Sequence, residues 1–472
     1  MKAKNNKYCI LRILLLFMLP LFSSAQHGDV IIYGEAPEYK NEELTFYTYS
    51  DIITRQDKPL ATTKVDEDGN FRCSIPIKDT MEIFMHLGVY RAFLFAEPGN
   101  EYKIKLPKRK DKSKEQKLNP YFRGKSYHVE IEDGKEQLNF KIYEFLRTYN
   151  RIVNQNIKKI YNSPQILDSL YNVIDTAHSS ENLFFQHYKD YKLGELKLIS
   201  ANQKSSQVVE ELFKKEKIHY HNPAYMDLFN QTFENYFEEF YSEYDRNIDK
   251  LINQAAELTQ VDSILGKAEL LSGNKKLREL VMLKGMHDAY YSNNYKKSSI
   301  IKLLEKFQEY SNEEYHQEIA KNIHDKITRI RTGFEPPEFC LYDLDSNLVC
   351  LDSLKGNYIY LGFCNTENYS CLRQFKALNN LYEKHKNHFK IIVISTDESF
   401  EQLKRHAERN QYPWKILHYG NDKEILKKYN VKSQPLYFFI VPDGTLSLSP
   451  APSPAEKVEQ KIFIEMRKRG DI

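Results

Sequence analysis

A strand-like apolar run that ends beside a cysteine most constrains the fold of this chain. Residues 358–361 are apolar or aromatic, Phe363 and Cys364 follow them, and a polar turn leads to Cys371. Helical spacing begins near Leu372. A buried strand that runs through a short turn into a helix is typical of an α/β layer. The two cysteines are therefore predicted at the end of a strand and in the first turn of a helix.

The segment 333–472 continues this alternation of strands and helices. A turn at Pro442-Asp443-Gly444 follows the predicted strand 436–441. The other predicted elements are a strand at 389–394 and helices at 400–409, 423–429 and 455–468. This order predicts an α/β domain over 333–472.

Three short motifs in this segment resemble the TlpA/ResA-like branch of the thioredoxin fold. They are Pro337-Glu338-Phe339, Leu354-Lys355-Gly356 before the first core strand, and Gln434-Pro435 before the last long strand. The resemblance covers residues 333–472 and implies a thioredoxin-like domain. In that family Pro435 would be cis beside the active site, and Gln434 would present its main chain to an extended peptide.

The resemblance also implies a degenerate active-site motif. Proteins of this fold carry Cys-x-x-Cys at the strand-to-helix turn, where the first thiolate attacks a disulfide and the second resolves it. Cys371 matches the second cysteine, whereas Asn368 occupies the position of the first. A glutamate of the family pattern is replaced by Gln374, which cannot ionise. Dithiol chemistry of the usual kind is therefore expected to be lost.

Redox chemistry at Cys371 stays open as an alternative. Cys371 is either a buried, inert thiol or a reactive monothiol. Cys364 is either a packing residue or the partner of Cys371 in a C-x6-C pair, which needs Cα atoms within ~7 Å. Peroxiredoxin spacing after Thr366 would place its cysteine at Tyr369, which disfavours that chemistry.

The N-terminus predicts export. An apolar run follows Lys2, Lys4 and Lys7, and Ser23-Ser24-Ala25 provides small residues for cleavage before Gln26. Removing residues 1–25 removes four basic residues and no acidic ones, so the net charge changes from +3 to −1. We expect localisation in the periplasm or cell envelope, and membrane contact only through the signal peptide before cleavage. The charge balance disfavours nucleic acid, and no cofactor is implied.

The remaining cysteines do not indicate a metal site. Cys340 and Cys350 flank the turn Asp345-Ser346-Asn347, and a hairpin there would bring them face to face. A disulfide and two packed thiols are both compatible with this spacing. No Cys/His pair has zinc-ligand spacing.

The chain ahead of the thioredoxin-like segment divides into two further units. Residues 27–107 have strand periodicity and predict a β-sandwich, with a hairpin turn at Asp68-Gly69. Residues 108–134 are predicted to be a basic linker and connection.

Residues 135–330 have helical periodicity. Asn222-Pro223 starts a helix with an aromatic stripe, and His316 has no matching carboxylate at a fixed spacing. The stripe comprises Tyr225, Phe229, Phe233, Phe237, Phe240, Tyr241 and Tyr244.

The predicted fold class is multidomain α+β: an N-terminal β-sandwich, a central all-helical block and a C-terminal thioredoxin-like α/β domain. The favoured function is binding of a peptide or an envelope protein partner without dithiol oxidoreductase activity. The alternative is a periplasmic thiol-disulfide oxidoreductase that uses Cys371, alone or with Cys364. A purely structural envelope protein built on the helical block is a third possibility.

Overall fold

The computed structural model describes residues 28–113, 116, 122–132, 137–162, 164–199, 212–213, 217–420 and 423–472. The predicted signal peptide and Gln26 lie outside the described residues. No helix among the described residues is both long and apolar enough to cross a membrane.

Among the described residues of the N-terminal part, nine strands form two sheets. The strands are β1 Asp29–Glu35, β2 Glu43–Tyr49, β3 Asp57–Lys64, β4 Asn70–Pro76, β5 Met81–Leu87, β6 Tyr90–Ala96, β7 Glu101–Lys105, β8 Lys125–His128 and β9 Glu130–Ile131. One sheet has the order β4-β1-β7-β9 and the other β3-β2-β5-β6-β8. Alternate residues of both sheets, such as Val30, Phe46 and Ile83, bury one common hydrophobic cluster.

Two predictions for this part are wrong. Residues 125–131 were predicted to belong to the linker, but they form β8 and β9, because Val129 and its apolar neighbours pack on the cluster. The Asp68-Gly69 turn does not join two paired strands. It connects β3, which pairs with β2, to β4, which pairs with β1. The turn residues were identified correctly, but the sheet to which each strand belongs depends on long-range burial.

The central part is helical. Its helices are α1 Leu138–Asn162, α2 Pro164–Ala177, α3 Leu183–Ile199, α4 Pro223–Thr232, α5 Tyr236–Glu243, α6 Asn247–Asn253, α7 Leu258–Leu265, α8 Glu269–Ser272, α9 Lys275–Tyr291, α10 Lys297–Tyr310 and α11 Glu314–Thr328. Their hydrophobic cluster also contains Ile53 and Phe95 from the β part. The helical and β parts therefore share a packed boundary.

The aromatic stripe after Asn222 does not lie on one helix. Asn222 caps α4 by accepting hydrogen bonds from the N–H groups of Ala224 and Tyr225, as its sequence position predicts. Asn235 then adopts a left-handed conformation and separates α4 from α5. Tyr244, at the end of the stripe, is consequently exposed.

The C-terminal part is a three-layer α/β domain. Its strands are β10 Cys340–Tyr342, β11 Leu348–Cys350, β12 Ile359–Cys364, β13 Lys390–Ser395, β14 Lys415–His418, β15 Leu436–Ile440 and β16 Leu446–Ala451. Its helices are α12 Tyr369–His385, α13 Phe400–Asn410, α14 Lys423–Lys428 and α15 Val458–Arg469. The main sheet has the order β14-β13-β12-β15-β16. β12 lies at its centre, and its alternate side chains enter two separate clusters.

Candidate functional site

The candidate site lies where β12 passes into α12. Asn368 is the N-cap of α12, and its side-chain oxygen accepts hydrogen bonds from the N–H groups of Ser370 at 2.9 Å and Cys371 at 3.4 Å. The Asn368 amide nitrogen lies 3.5 Å from the Gln434 carbonyl oxygen. An N-cap satisfies backbone donors that have no partner inside the helix. The residue at the predicted nucleophile position therefore has a structural role.

Cys364 and Cys371 are brought together beneath this turn, and both are fully buried. They belong to the same hydrophobic cluster, because Cys364 projects from β12 toward the first turn of α12. The hydroxyl of Tyr437 lies 3.6 Å from the Cys364 sulfur, and the N–H of Asn365 donates to the Cys371 sulfur at 3.4 Å. The structure thus forms the C-x6-C contact that the sequence left open, with both thiols free.

The two thiols differ in acidity. The hydrogen bond from the Cys364 thiol lowers the pKa of Cys371; burial opposes this effect, and the Asn365 N–H supports it. Burial raises the pKa of Cys364 well above its ordinary value, and its hydrogen bond to Cys371 raises it further. Cys371 is therefore the first of the pair to ionise.

A polar network supports the turn from the next strand. The buried Asp397 carboxylate accepts hydrogen bonds from the Thr366 N–H at 3.1 and 3.2 Å and from the Thr366 hydroxyl at 2.5 Å. The Asn365 side chain donates to the Thr396 carbonyl at 3.0 Å. Gln434 donates from its side chain to the Thr396 hydroxyl at 2.8 Å. The network fixes the turn between β12 and α12 relative to Gln434.

The predicted peptide-binding residues lie at the rim of this turn. Gln434 and Pro435 are half-buried, and the bond between them is cis. No described residue accepts a hydrogen bond from the Gln434 N–H. Tyr369, at the start of α12, is 76% exposed. The rim therefore combines an open main-chain donor with an exposed aromatic ring.

Gln374 has its side-chain hydrogen-bond partner outside the thiol pair. Its side-chain oxygen accepts a hydrogen bond from the Ala455 N–H at 3.1 Å, which links α12 to the short 3-10 helix Pro454–Glu456. A group in this arrangement stabilises packing and does not move a proton at Cys371.

The cysteines of the hairpin formed by β10 and β11 are bonded to each other. Cys340 and Cys350 are directly opposite in the register of β10 and β11, with their Cα atoms 4.0 Å apart, and they form a disulfide. This bond closes the hairpin, and Asp343, whose carboxylate binds Lys415 at 2.8 Å, holds the hairpin against β14.

Sequence reasoning missed three residues of the site. Asp397 is a single carboxylate after a strand, and only the parallel pairing of β13 with β12 brings it to the turn. Tyr437 covers the thiols because Gly362, directly opposite in the register, has no side chain in the way. The signal for Gly362 was available: a glycine inside a strand often marks a close approach.

Comparison with known proteins places this domain in a family. Residues 332–449 match the AhpC/TSA family. A thiol-disulfide oxidoreductase ResA of Bacillus thuringiensis subsp. konkukian is 31% identical over 120 residues, which are 25% of this chain and 69% of that protein. The chain belongs to the ResA-like thioredoxin-fold family. A ResA of Bacillus cereus is 30% identical over 141 residues, which are 30% of this chain and 74% of that protein.

Solved structures give a further comparison. The thioredoxin domain of thiol-disulfide oxidoreductase BVU-2223 from Bacteroides vulgatus is 23% identical and has a TM-score of 0.26. That match covers 28% of this chain and 97% of the solved domain. The predicted C-terminal thioredoxin-like domain, and with it the mixed α+β class, is confirmed by the family match. These two ResA relatives match no more than 30% of the chain.

Proposed function

We propose that this protein is an exported recognition protein that lacks dithiol oxidoreductase activity. Its thioredoxin-like domain binds an extended peptide, or an extended segment of an envelope protein, across Asn368, Gln434 and Pro435. The observation that carries this proposal is the use of Asn368 as a helix cap above two fully buried thiols. Thiol-disulfide exchange needs a thiolate that contacts the disulfide of its substrate, and no thiol of this turn is exposed.

The rim keeps the groups that peptide binding needs. An extended peptide pairs with main-chain donors and acceptors, and its side chains select neighbouring pockets. Gln434 offers an N–H group with no acceptor among the described residues, and Tyr369 offers an exposed ring. Neither contribution depends on a thiolate.

Peptide selection from a random library displayed on phage, followed by fluorescence anisotropy, tests this proposal. Pro435→Ala is expected to lower the affinity for the selected peptides about tenfold, because it changes the shape of the binding rim. Pro450→Ala, on β16 of the same domain, is the matched control and is expected to leave affinity unchanged. Equal peptide affinity of wild type and Pro435→Ala would contradict peptide binding at this rim.

A second candidate function is thiol-disulfide oxidoreduction through Cys371, alone or with Cys364. The contact between the two thiols, the lowered pKa of Cys371 and the ResA-like relatives favour it. Asn368→Cys restores the missing thiol of the family pattern. If insulin reduction appears in that variant and is absent from wild type, the scaffold is intact and lacks only its nucleophile. Insulin reduction by wild type that is lost in Cys371→Ser would favour the second function.

The place of action is part of the same proposal. Export to the periplasm or cell envelope, with cleavage after Ala25, would deliver the chain to a compartment where the Cys340–Cys350 disulfide persists. N-terminal sequencing of protein recovered from the envelope fraction tests it, with Gln26 as the expected first residue.

A further inference from the structure

A large cleft opens where the three parts of the chain meet, away from the thiol pair. Its volume is about 1160 Å³, which exceeds that of a typical small-molecule pocket. One wall is the outer face of the sheet that contains β2, β5 and β6. The opposite wall is helical and includes Tyr220 and Tyr315, and Lys427 of α14 contributes from the thioredoxin-like domain.

Tyrosine rings line both walls of the cleft. Tyr47 and Tyr49 lie on the sheet side, with Tyr47 packed 5.3 Å from the ring of His86. Tyr220 and Tyr315 lie on the helical side with ring centroids 4.5 Å apart. All four residues are half-buried, so each ring is partly supported by the protein and partly open to the cleft.

Buried polar networks hold these rings in place. The Tyr220 hydroxyl donates to His316 Nε2 at 2.7 Å, and His316 Nδ1 donates to the Glu279 carboxylate at 2.8 Å. On the other wall the Arg91 guanidinium, which binds Glu82, lies 5.2 Å from the centroid of the Tyr49 ring. Binding sites supported in this way lose little freedom when a ligand binds.

Most charged side chains in the cleft are already paired with a residue of opposite charge. Arg91 binds Glu82, and Arg55 binds Asp227 at 2.5 Å. Asp57 binds His86 at 2.9 Å and Lys427 at 3.4 Å. A charged ligand would have to compete with these partners. A ligand hydroxyl, which both donates and accepts, can add a hydrogen bond to an ion pair without separating it.

We propose that this cleft binds a neutral oligosaccharide. The C–H faces of sugar rings stack on the tyrosines, and the sugar hydroxyls bind the edges of the ion pairs at Asp57 and Asp227. The walls come from all three parts of the chain, so the site exists only in the assembled protein. This proposal does not depend on the proposed function of the thiol turn.

Isothermal titration of the full mature chain tests the proposal with defined probes. The neutral probes are cellohexaose, xylohexaose, maltohexaose and laminarihexaose; the charged probe is hexagalacturonate, and the peptide probe is a mixture of random decapeptides. At least one neutral probe is expected to bind with a dissociation constant below about 1 mM. Its affinity is expected to change less than about twofold when NaCl is raised tenfold, because no charge is neutralised.

Tyr47→Ala is expected to lower the affinity for that probe about tenfold, because it removes one stacking ring. Tyr33→Ala is the matched control: Tyr33 is a half-buried strand tyrosine with Arg72 over its ring, but it belongs to the other sheet. If Tyr47→Ala does not fold, hydroxyl-radical footprinting of wild type replaces it. The probe should then protect Tyr47 and Tyr220 and leave Tyr33 unprotected.

Three results would overturn the proposal. The first is that none of the four neutral probes binds, and the second is that only hexagalacturonate or the decapeptides bind. The third is that a neutral probe binds but is neither weakened by Tyr47→Ala nor able to protect Tyr47 in the footprint. Each of them can occur whether or not the Pro435 rim binds peptides, so the two proposals fail separately.

Discussion

Asn368 stabilises the start of α12 as its helix cap. Its side chain accepts two N–H groups of the first turn of α12, and the third residue of that turn is the buried Cys371. A thiol is a weak hydrogen-bond acceptor compared with the amide oxygen of asparagine. The capping group and the buried thiol of this turn are therefore separate residues in this chain.

Replacing the cap is expected to destabilise the thioredoxin-like domain. Asn368→Ala should lower its free energy of unfolding by about 1 kcal/mol, because two N–H groups lose their acceptor. Asn368→Ser, which keeps a capping oxygen, should lower it by less than half as much. Trp414 is the only tryptophan of the chain and is buried in this domain, so its fluorescence during urea denaturation measures the effect. Equal stability of all three proteins would exclude a capping role.

Glu279 gives a prediction with a defined pH dependence. Burial works to raise its pKa, but hydrogen bonds from His316 and Ser311 prevail and hold the pKa below its ordinary value of 4.5. The stability that Glu279 contributes is therefore fully present above about pH 4.5 and is lost as pH falls through the lowered pKa.

Glu279→Gln should accordingly unfold at a lower temperature than wild type near pH 7, with a deficit of about 2–4 kcal/mol in stability. The deficit should shrink as pH falls below about 4.5. Far-ultraviolet circular dichroism, which is dominated by the helices, follows the transition. A deficit of the same size at about pH 3 and pH 7 would argue against the role assigned to the ionised carboxylate.

At the level of secondary-structure elements, β12 controls access to the thiols through Gly362. A Cβ atom at this position would lie 2.7 Å from a ring carbon of Tyr437, closer than nonbonded carbon atoms approach. The ring of Tyr437 stacks on Tyr360 with centroids 5.0 Å apart and places its hydroxyl at Cys364. Because Gly362 has no side chain, the Tyr437 ring of β15 can lie over β12 and reach Cys364 at the end of that strand.

Gly362→Ala should displace Tyr437 and expose Cys364. We expect Cys364 to be alkylated at least about tenfold faster than in wild type, and the domain to lose about 1–3 kcal/mol of stability. Gly273→Ala is the control, because a Cβ atom there would meet no atom within 4 Å. Unchanged labelling of Cys364 would show that Tyr437 does not limit access.

Elements with a local cause were predictable from the sequence. The Asn222 cap, the strand before Cys364 and the turn at Asp68-Gly69 follow from residues close together in the chain. The predictions that failed concern features that depend on contacts between residues far apart in the chain. They are the separation of β3 and β4 into different sheets, and the presence of β8 and β9 inside the predicted linker. The carboxylate partner of His316 was missed for the same reason, since Glu279 lies 37 residues away.

For the molecule as a whole, the parts differ in how much they depend on one another. Among the described residues, the two hydrophobic clusters of the C-terminal domain contain no residue of the β part, whereas the helical cluster contains Ile53 and Phe95 of that part. Residues 331–472 are therefore expected to fold alone. Residues 137–330 alone are expected not to reach their native packing.

Two fragments test this dependence. Fragment 331–472 should have a free energy of unfolding within about 1 kcal/mol of the value that Trp414 fluorescence gives for this domain in the full chain. Fragment 137–330 should melt less cooperatively than fragment 28–330, which retains the β part. A cooperative transition of fragment 137–330 at the same temperature as that of fragment 28–330 would show that the shared boundary contributes little.

Shielding of the two thiols beneath the turn that Asn368 caps is the feature on which the proposed function depends most. Differential alkylation with peptide mapping, on the native mature protein before and after exposure to glutathione disulfide, measures it. We expect Cys371 to stay unlabelled and to accept no glutathione until the protein is denatured. Labelling or glutathionylation of Cys371 in the native protein would refute the shielding and establish a reactive thiol at this turn.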